Sequence, residues 1–222
     1  MLIIGHRGAA GLAPENTLDS LRAGFDAGAD ILEFDVHVTI DGVPILSHNA
    51  RLHGKPIRKH TLSQLRKSGD ITTLDDVLKT FYGKVLLNIE LKQATSVSNV
   101  VDCVAPYIRH KTDWDDVIFS SFRLTVLRQI RSICKYANLA LLHHVNPFLF
   151  MVHHKQLQLS AVGFHRLHVN PLALAVAQKL GIFTYVYTVD RTDTAKRLAR
   201  RHIDGIVTNY PDRIASTLQA DA

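Results

Sequence analysis

Short apolar runs alternate with amphipathic stretches along nearly the whole chain. The runs are rich in Val, Ile, Leu and Phe and fit buried strands, while the stretches between them fit helices that pack on a sheet. The predicted strands are Leu2–Ile4, Ile31–His37, Val85–Lys92, Val117–Phe122, Leu139–His143, Ala161–His165, Phe183–Val189 and Gly205–Thr208. The predicted helices run from Asn16 or Thr17 to about Gly28, then over Leu74–Tyr82, Val97–Arg109, Leu124–Tyr136, Pro147–Gln158, Pro171–Leu180 and Thr192–Arg201, with a last one from about Pro211.

The run Ile31–His37 differs from the other predicted strands because charged and apolar residues alternate within it. Alternation puts Glu33, Asp35 and His37 on one face of the strand and the apolar residues on the other. Two residues of strand place the Cα atoms of Glu33 and Asp35 roughly 6–7 Å apart, so both carboxylates can reach one ion. Folding alone does not require such a pair inside a sheet, and the pattern therefore indicates a functional site.

A hairpin is expected after this strand, because Asp41-Gly42 is a dipeptide favoured in two-residue hairpin turns. A tight turn would pair Thr39 with Pro44, and the same register would bring His48 opposite Asp35, on the face that carries the acids. Pro44 cannot donate a ladder hydrogen bond, so the returning strand is expected at an edge of the sheet. A bulge would shift this register.

Eight strand–helix units follow one another without a linker or a break in composition. Such alternation favours a parallel sheet wrapped by helices, and eight units favour closure into a (β/α)8 TIM barrel. An open doubly wound sheet is the alternative, although no G-x-G-x-x-G stretch follows the first strand. In a barrel, charged groups at the mouth are costly unless they are paired or bind a metal. The side chains expected there are Glu33, Asp35, Glu90 and Lys92.

The segment 50–73 departs from this alternation, because it is basic and polar apart from one short helical turn at Leu62–Lys67. We interpret it as a small insertion after the second strand, near the barrel mouth and too short for a core of its own. The chain is therefore expected to form a single domain over residues 1–222.

Composition is that of an ordinary globular protein, with 46% hydrophobic and 21% charged residues among 222. The net charge of +6 fits either a solvated basic surface or attraction of an anionic substrate. Lys and Arg are spread over many helices, which disfavours nucleic acid as a partner. Cys103 and Cys134 lack metal-type spacing and are expected to be reduced thiols in a cytoplasmic protein. The first residues lack the pattern of a signal peptide, so none is expected. No apolar run approaches the roughly 20 residues of a membrane span, so stable membrane insertion is not expected either.

Several motifs occur together in this sequence and in a fixed order. GHRG is followed by PENT, then by GADILEFDVHVTIDGVPILSH, NIELK, SSF and GIVTNYPD. In this combination the chain resembles the glycerophosphodiester phosphodiesterase family, from residue 5 to about residue 213. The resemblance implies a TIM barrel that hydrolyses glycerophosphodiesters to glycerol 3-phosphate and an alcohol, with a divalent cation as cofactor.

By this resemblance His6 and His48 correspond to the family's general acid/base pair. Cleavage of a phosphodiester needs one group to take a proton from the nucleophile and another to protonate the leaving alkoxide. Histidine can do either at neutral pH, because its ordinary pKa is about 6.5. The sequence does not assign acid and base between the two.

The resemblance also implies that Glu33, Asp35 and Glu90 bind the metal. Three carboxylates without cysteine form a hard-oxygen site, suited to Ca²⁺ or Mg²⁺ rather than zinc. The alternative is a salt-bridge cluster with Arg7 and Lys92, which otherwise resemble the family's phosphate contacts.

The remaining substrate-site candidates are Glu15 and Tyr187. Glu15, within PENT, either orients Arg7 or a histidine, or is an acid favourable to a helix N-terminus. Tyr187 is expected beside the substrate, at the aromatic position of the family's W-T-V-N. Asn16 and Thr17 are interpreted as helix caps rather than ligands.

Four positions depart from the family pattern: Asn49, Tyr187, Asp190 and Asn209. An acid is usual after the second histidine, where Asn49 stands, and in T-D-Y-P, where Asn209 stands. These departures put substrate preference and cation affinity in doubt, but not the reaction class.

Two other functions stay open from the sequence. One is a phospholipase-type phosphodiesterase that acts on intact lipid. Such an enzyme would require an exposed apolar surface at the barrel mouth or a membrane anchor. The other is a non-catalytic barrel that binds a phosphorylated metabolite, although binding alone needs no acid/base pair. The sequence leaves the alcohol moiety of the substrate and the oligomeric state open, a homo-oligomer included.

Overall fold

The structure is a computed structural model, and it describes residues 1–219. Parallel strands and helices alternate along the chain, as the hydrophobic pattern predicts. The strands are β1 Leu2–Gly5, β2 Ile31–Val38, β3 Pro44–Leu46, β4 Arg51–Leu52, β5 Lys55–Pro56, β6 Leu86–Leu91, β7 Val117–Ser121, β8 Asn138–His143, β9 Ala161–His165, β10 Phe183–Tyr187 and β11 Gly205–Thr208. The α-helices are α1 Leu18–Asp26, α2 Leu62–Arg66, α3 Leu74–Phe81, α4 Val97–Val104, α5 Leu124–Ile133, α6 Leu149–Leu157, α7 Pro171–Lys179, α8 Thr192–Ala199 and α9 Pro211–Gln219. Short 3-10 helices cover Ile57–Lys59, Ala105–Tyr107 and Lys111–Asp116.

The sheet closes on itself, because β1 pairs in parallel with β11 on one side and with β2 on the other. The order around the barrel is β1, β11, β10, β9, β8, β7, β6 and β2, with β3 added outside β2. The predicted (β/α)8 barrel is therefore confirmed, and the alternative of an open sheet is wrong.

The outward and inward faces of the strands carry different cores. Leu32, Phe34 and Val36 of β2 belong to the large cluster that the helices cover. Ile31 lies on the inward face, in a smaller cluster that fills the barrel with Tyr185 and other side chains. Full burial of one large apolar side chain stabilises the fold by about 1.5–3 kcal/mol. The outer cluster contains many more such side chains than the inner one and therefore contributes most of the hydrophobic stabilisation. The inward face is thereby left for polar side chains at the mouth.

The predicted hairpin register is wrong by one residue. Val38 pairs with Pro44, and the turn closes with the Thr39 amide donating to the carbonyl of Val43 at 3.0 Å. The turn therefore has three residues rather than two, with Gly42 at a φ of +79° that favours glycine. The edge position of β3, which Pro44 predicts, is confirmed.

The segment 50–73 extends from the end of β3. It consists of the β4–β5 hairpin, a 3-10 turn and α2, which begins with a capping box between Thr61 and Gln64. Ile57, Leu65 and Ile71 pack with Ile45 of β3 in a cluster separate from the barrel core. The segment thus buries its apolar side chains against the hairpin and not against the barrel.

Within residues 1–219, no helix is both long and apolar enough to cross a membrane. Cys103 and Cys134 are unpaired thiols, both partly buried.

Candidate active site

Three acids meet at the carboxyl ends of two neighbouring strands. Asp35 of β2 lies directly beside Glu90 of β6 in the parallel register. Glu33 lies two residues before Asp35 on the same inward face of β2. One carboxylate oxygen from each of the three lies within 4.8 Å of the others, and all three residues are buried. Active sites of this fold lie at this end of the barrel. The alternation within β2 and β6 therefore produces an acidic cluster at the barrel mouth.

Burial and mutual repulsion separate the pKa values of the three acids. Burial raises the pKa of Glu33 to about 8, and the charge of Asp35 adds to this effect. Burial likewise raises the pKa of Glu90 to about 7, although Lys92 opposes it. Burial would raise the pKa of Asp35 as well, but contact with His48 and the charge of Lys92 outweigh it, so this pKa lies well below its usual range. Three carboxylates this close do not all ionise easily without a compensating cation.

Two cations already contact the cluster. The ammonium of Lys92 lies 2.7 Å from Asp35 Oδ1 and 2.5 Å from Glu90 Oε1. Arg7 places Nε 3.2 Å from Asp35 Oδ2 and Nη1 2.5 Å from the carboxylate of Glu15. The salt-bridge cluster considered from the sequence is thus present in the structure. Glu15 contacts Arg7, in agreement with an orienting role rather than a direct one.

The acids nevertheless retain the capacity to bind a metal ion. Glu33 accepts the main-chain N–H of Arg7 through Oε2 at 2.9 Å, but its Oε1 is buried without any hydrogen-bond partner among the described residues. A buried carboxylate oxygen without a donor is unfavourable unless a cation or water contacts it. The donor set is entirely oxygen, which suits Ca²⁺ or Mg²⁺. These observations fit a divalent cation held by Glu33, Asp35 and Glu90.

His6 directly follows β1, the strand that pairs with β2 on the side away from β6. Its Nδ1 lies 2.6 Å from Asn209 Oδ1, and its ring lines the cavity beside Glu33 and Glu90. Burial lowers the pKa of His6, although the contact with Asn209 opposes this. The imidazole is therefore neutral at pH 7 and able to accept a proton.

His48 also reaches the acids, despite the error in the predicted register. The ladder continues one residue beyond β3, because the Ser47 amide donates to the Asp35 carbonyl at 3.0 Å, and the main chain then turns at His48. This turn brings His48 Nδ1 to 3.3 Å from Asp35 Oδ2, while 38% of the side chain stays exposed. The expected proximity of His48 and Asp35 is therefore present, but a bend after the strand produces it rather than strand pairing.

Asn16 contacts the site in a way that the sequence interpretation missed. Thr17 caps α1 as expected, its hydroxyl accepting from the Ser20 amide at 3.1 Å. Asn16 is not a cap: its Nδ2 donates to Asp35 Oδ2 at 3.0 Å, and its Oδ1 accepts the Asp35 amide at 2.9 Å. Its backbone is left-handed, with φ +58°. The only sequence signal for this contact was its place within PENT.

A cavity of about 40 Å³ opens beside the acids. Its lining includes three polar side chains with buried oxygens, which are Asn88, Ser120 and Tyr185. Phe122 and Tyr187 form one wall. The Tyr187 hydroxyl donates to the main-chain carbonyl of His143, so its ring rather than its hydroxyl is available to a ligand. Space for a few waters or hydroxyl groups exists at this depth.

Three histidines without a proposed role lie near this site. His37 is buried, with Nδ1 3.3 Å from Gln93 Oε1. His144 stacks on Phe122 with ring centroids 4.0 Å apart. His143 is enclosed by Phe150 and Phe164, and burial lowers its pKa to about 4.

Two of the positions that depart from the family pattern contact each other. Asn209 donates to Asp190 through Nδ2 at 2.7 Å and through its main-chain amide at 2.8 Å. Asn209 in turn contacts His6, so the two departures form one hydrogen-bonded chain that ends at the histidine. Asn49, by contrast, contributes only its carbonyl, which accepts from Ser47 Oγ at 2.9 Å.

Comparison with known proteins agrees with the architecture. Residues 6–213 match the family described as the glycerophosphoryl diester phosphodiesterase family. A glycerophosphodiester phosphodiesterase of Caldanaerobacter subterraneus is 26% identical over 242 residues, which cover 98% of each chain. The crystal structure of such an enzyme from Thermotoga maritima has a TM-score of 0.82 and 26% identity, covering 97% of each chain. An Oleispira antarctica phosphodiesterase solved with sn-glycerol-3-phosphate has a TM-score of 0.89 at 22% identity over 99% of this chain and 97% of its own, and it supports the fold alone.

Proposed function

Since the chain belongs to the glycerophosphoryl diester phosphodiesterase family, and is therefore a phosphoric diester hydrolase, we propose that it cleaves glycerophosphodiesters by two-histidine catalysis with a divalent cation. The observation that carries this proposal is the arrangement of the mouth. Three buried acids lie within 4.8 Å of one another, His6 lines the cavity beside Glu33 and Glu90, and His48 lies 3.3 Å from Asp35. Such a set provides both a cation site and two proton-transfer groups.

In the proposed reaction a glycerophosphodiester and water give glycerol 3-phosphate and an alcohol. One histidine takes a proton from the attacking oxygen, and the other gives a proton to the oxygen of the departing alcohol, so the charges balance. When bound by Glu33, Asp35 and Glu90, Ca²⁺ or Mg²⁺ would neutralise phosphate charge. The protein's own groups position the phosphate and move the two protons.

Arg7 and Lys92 are proposed to bind the phosphate. Arg7 has five side-chain donors, and its contacts with Glu15 and Asp35 leave others free to donate. Glu15 holds the guanidinium in place through its 2.5 Å contact. Lys92 supplies a point charge between Asp35 and Glu90, and a cation bound there would free it for the phosphate. Tyr187 is proposed to contact the substrate through its ring.

We propose small glycerophosphodiesters as substrates, because the cavity beside the acids, at about 40 Å³, admits only a small polar group of the substrate at its depth. The insertion 50–73 belongs to the same proposal, as part of one domain over residues 1–222 that borders the mouth. A cytoplasmic location also fits the two unpaired thiols. Turnover of glycerophosphocholine, measured with and without EDTA, tests the proposal. Full activity in EDTA after exhaustive dialysis would contradict the cation, and no turnover of any glycerophosphodiester would contradict the substrate class.

A second candidate, hydrolysis of lipid at a bilayer surface, has one observation in its favour. Large apolar side chains, among them Val145 and Leu167, are exposed in the loops after β8 and β9. Assay of glycerophosphocholine beside diacyl phospholipid vesicles separates the two candidates. We expect turnover of the soluble diester only, and comparable rates on vesicles would favour the second candidate.

A further inference from the structure

Acidic residues are absent from a long part of this chain. Residues 117–189 contain no Asp or Glu, although the chain has 20. The same stretch carries seven basic residues, which are Arg123, Arg128, Arg131, Lys135, Lys155, Arg166 and Lys179. Since the net charge of the whole chain is +6, the remainder is nearly neutral. The excess positive charge therefore resides in the half of the barrel built from β7 to β10.

The most exposed large apolar side chains lie in the same half. Across residues 1–219 the four highest exposed fractions belong to Val152 at 76%, Leu167 at 72%, Val145 at 70% and Leu172 at 64%. Val145 follows β8 and Leu167 follows β9, while Val152 and Leu172 lie in the first turns of α6 and α7. Because β8 and β9 are adjacent parallel strands, all four lie at one end of the barrel. We define these four residues as the apolar rim.

The apolar rim borders the mouth of the active site. His144, which precedes Val145, stacks on Phe122 in the cavity wall. The ring of His165, two residues before Leu167, packs edge-on against Tyr187 with centroids 5.9 Å apart. Tyr187 also lines the cavity. A surface that contacts the rim would therefore lie close to the entrance of the site.

Helix α6 has apolar side chains on opposite sides. Phe150 and Leu157 are buried against the barrel, while Met151 and Val152 face solvent. A helix on the surface of a globular protein normally presents polar residues on its outer face. Exposed Val and Leu at loop tips and helix starts, with basic residues near them, are typical of protein surfaces that insert shallowly at a lipid headgroup layer.

The charges near the rim complement an anionic surface. Arg123 lies two residues after the end of β7, and Arg166 directly precedes Leu167. Neither guanidinium pairs with a carboxylate in the described part of the chain, and both are available to a partner. Each Lys or Arg near the surface of an anionic bilayer strengthens binding by roughly fivefold at physiological ionic strength.

From these observations we propose that the apolar rim and its basic surroundings dock on a bilayer that contains anionic phospholipid. A second copy of the chain is a poor occupant, because two acid-free faces would repel each other across a two-fold axis. Nucleic acid is a poor occupant as well, because Val and Leu side chains offer nothing to a phosphate backbone. Docking is expected to be reversible, since four exposed apolar side chains bury only a small area in a headgroup layer.

Sedimentation with vesicles tests this docking. We expect the wild-type protein to sediment with vesicles of phosphatidylcholine and phosphatidylglycerol, and at least tenfold less with phosphatidylcholine alone. Raising the salt concentration from 0.1 to 0.5 M should weaken binding, because the charges are exposed. Leu167→Ser and Val152→Ser should each lower the partition coefficient by about fivefold, and Arg166→Glu by more.

Matched controls lie at the other end of the same half-barrel. Leu180 is 45% exposed, and Lys179 precedes it at the end of α7. Leu180→Ser and Lys179→Glu make the same chemical changes away from the rim, and we expect wild-type binding from both. Hydrolysis of soluble glycerophosphocholine should be unchanged in all rim variants, which separates loss of docking from loss of the active site.

Three results would overturn the proposal. These are absence of sedimentation with anionic vesicles, equal losses in rim and control variants, and binding that neutral vesicles match. If light scattering detects a dimer that Val152→Ser abolishes, the apolar rim binds a second copy of the chain instead of a bilayer. Tight binding of RNA that the same rim variants weaken would also contradict a lipid partner.

Discussion

Asn209 Oδ1 lies 2.6 Å from His6 Nδ1, although 203 residues separate the two in sequence. Asp190 fixes the orientation of this amide. Asp190 Oδ1 already accepts from the Thr208 hydroxyl and the Asn209 main-chain amide. A carboxylate accepts hydrogen bonds, so Asn209 presents its NH2 group to Asp190 Oδ2, at 2.7 Å, and its oxygen to His6. His6 must then carry its proton on Nδ1, which leaves Nε2 as the acceptor. The geometry favours His6 as the base of the proposed pair.

We expect Asp190→Asn to lower kcat by about 10–10²-fold with little change in KM. The substitution keeps the shape but lets the Asn209 amide flip, so that His6 populates the wrong tautomer, an effect known to reduce catalysis strongly. The double variant Asp190→Asn with Asn209→Asp should recover activity to within a few-fold, because a carboxylate then contacts Nδ1 directly. The measurement is steady-state kinetics together with the ¹⁵N chemical shifts of the His6 ring.

Asp204→Asn provides the control for that series. Asp204 accepts the Thr184 amide and hydroxyl, both at 2.7 Å, at the opposite end of the barrel. This variant should lose stability but keep kcat. If Asp190→Asn also loses stability but keeps kcat, the assignment of the His6 tautomer is wrong. That result would not by itself contradict two-histidine catalysis.

Replacement of either proposed catalytic histidine by Ala should lower kcat by about 10²–10⁴-fold, the usual contribution of a proton-transfer group. Losses from His6→Ala and His48→Ala should not add in the double variant, if the two act as a unit. A p-nitrophenyl leaving group needs no acid and should rescue only the variant that lacks the acid, which the tautomer of His6 predicts to be His48→Ala. His37→Gln, on the same strand face as the acids, serves as the control and should stay within a few-fold of wild type. Losses of only a few-fold in both alanine variants would contradict two-histidine catalysis.

Metal binding should be measurable without turnover. We expect Ca²⁺ or Mg²⁺ to raise the Tm of the EDTA-treated protein, because an ion that binds only the folded state stabilises it by mass action. Glu33→Gln should abolish this rise and leave the metal-free protein about as stable as the wild type, because a pKa of about 8 already keeps Glu33 largely protonated at pH 7. Differential scanning fluorimetry over a concentration series provides the measurement. Equal Tm shifts in both proteins would place the ion elsewhere.

His143 should make the protein sensitive to acid. Its folded pKa is about 4, because burial disfavours the charged ring, while an unfolded histidine has a pKa of about 6.5. Below pH 6.5 the unfolded state binds more protons, so stability falls as the pH drops from about 6.5 towards 4, and the total loss is roughly 3 kcal/mol. Urea unfolding of wild type and of His143→Phe, compared at pH 7 and pH 5, measures the difference. An identical loss of stability in both proteins would exclude His143 as its source.

Local pattern was sufficient for the barrel and for the position of the acidic cluster at its mouth. Period-two alternation in Ile31–Val38 and in Leu86–Leu91 specifies which side chains face helices and which face the mouth, because each strand residue has only two faces. Repetition of strand–helix units then limits the topology to a few folds. The closed order of the strands confirms the fold, and the match of residues 6–213 confirms the family.

Other features depend on geometry that the sequence does not encode locally. A three-residue turn replaced the expected two-residue turn because Thr39 bonds Val43, and a single inserted residue shifts every pair in the ladder. Asn16 reaches Asp35 only through a left-handed backbone. The contact of His6 with Asn209 exists only because the first and last strands of the barrel pair with each other.

For the surface beside the mouth, the sequence determines the charge and the tertiary structure determines which apolar side chains are exposed. The absence of acids from residues 117–189 is a property of the sequence alone. Apolar residues occur throughout that stretch, and most of them are buried. Only the closed barrel decides that Val145, Val152, Leu167 and Leu172 remain exposed, and that they lie beside the active-site mouth. Exposure is a tertiary property, because it depends on which face of each element the neighbouring elements cover.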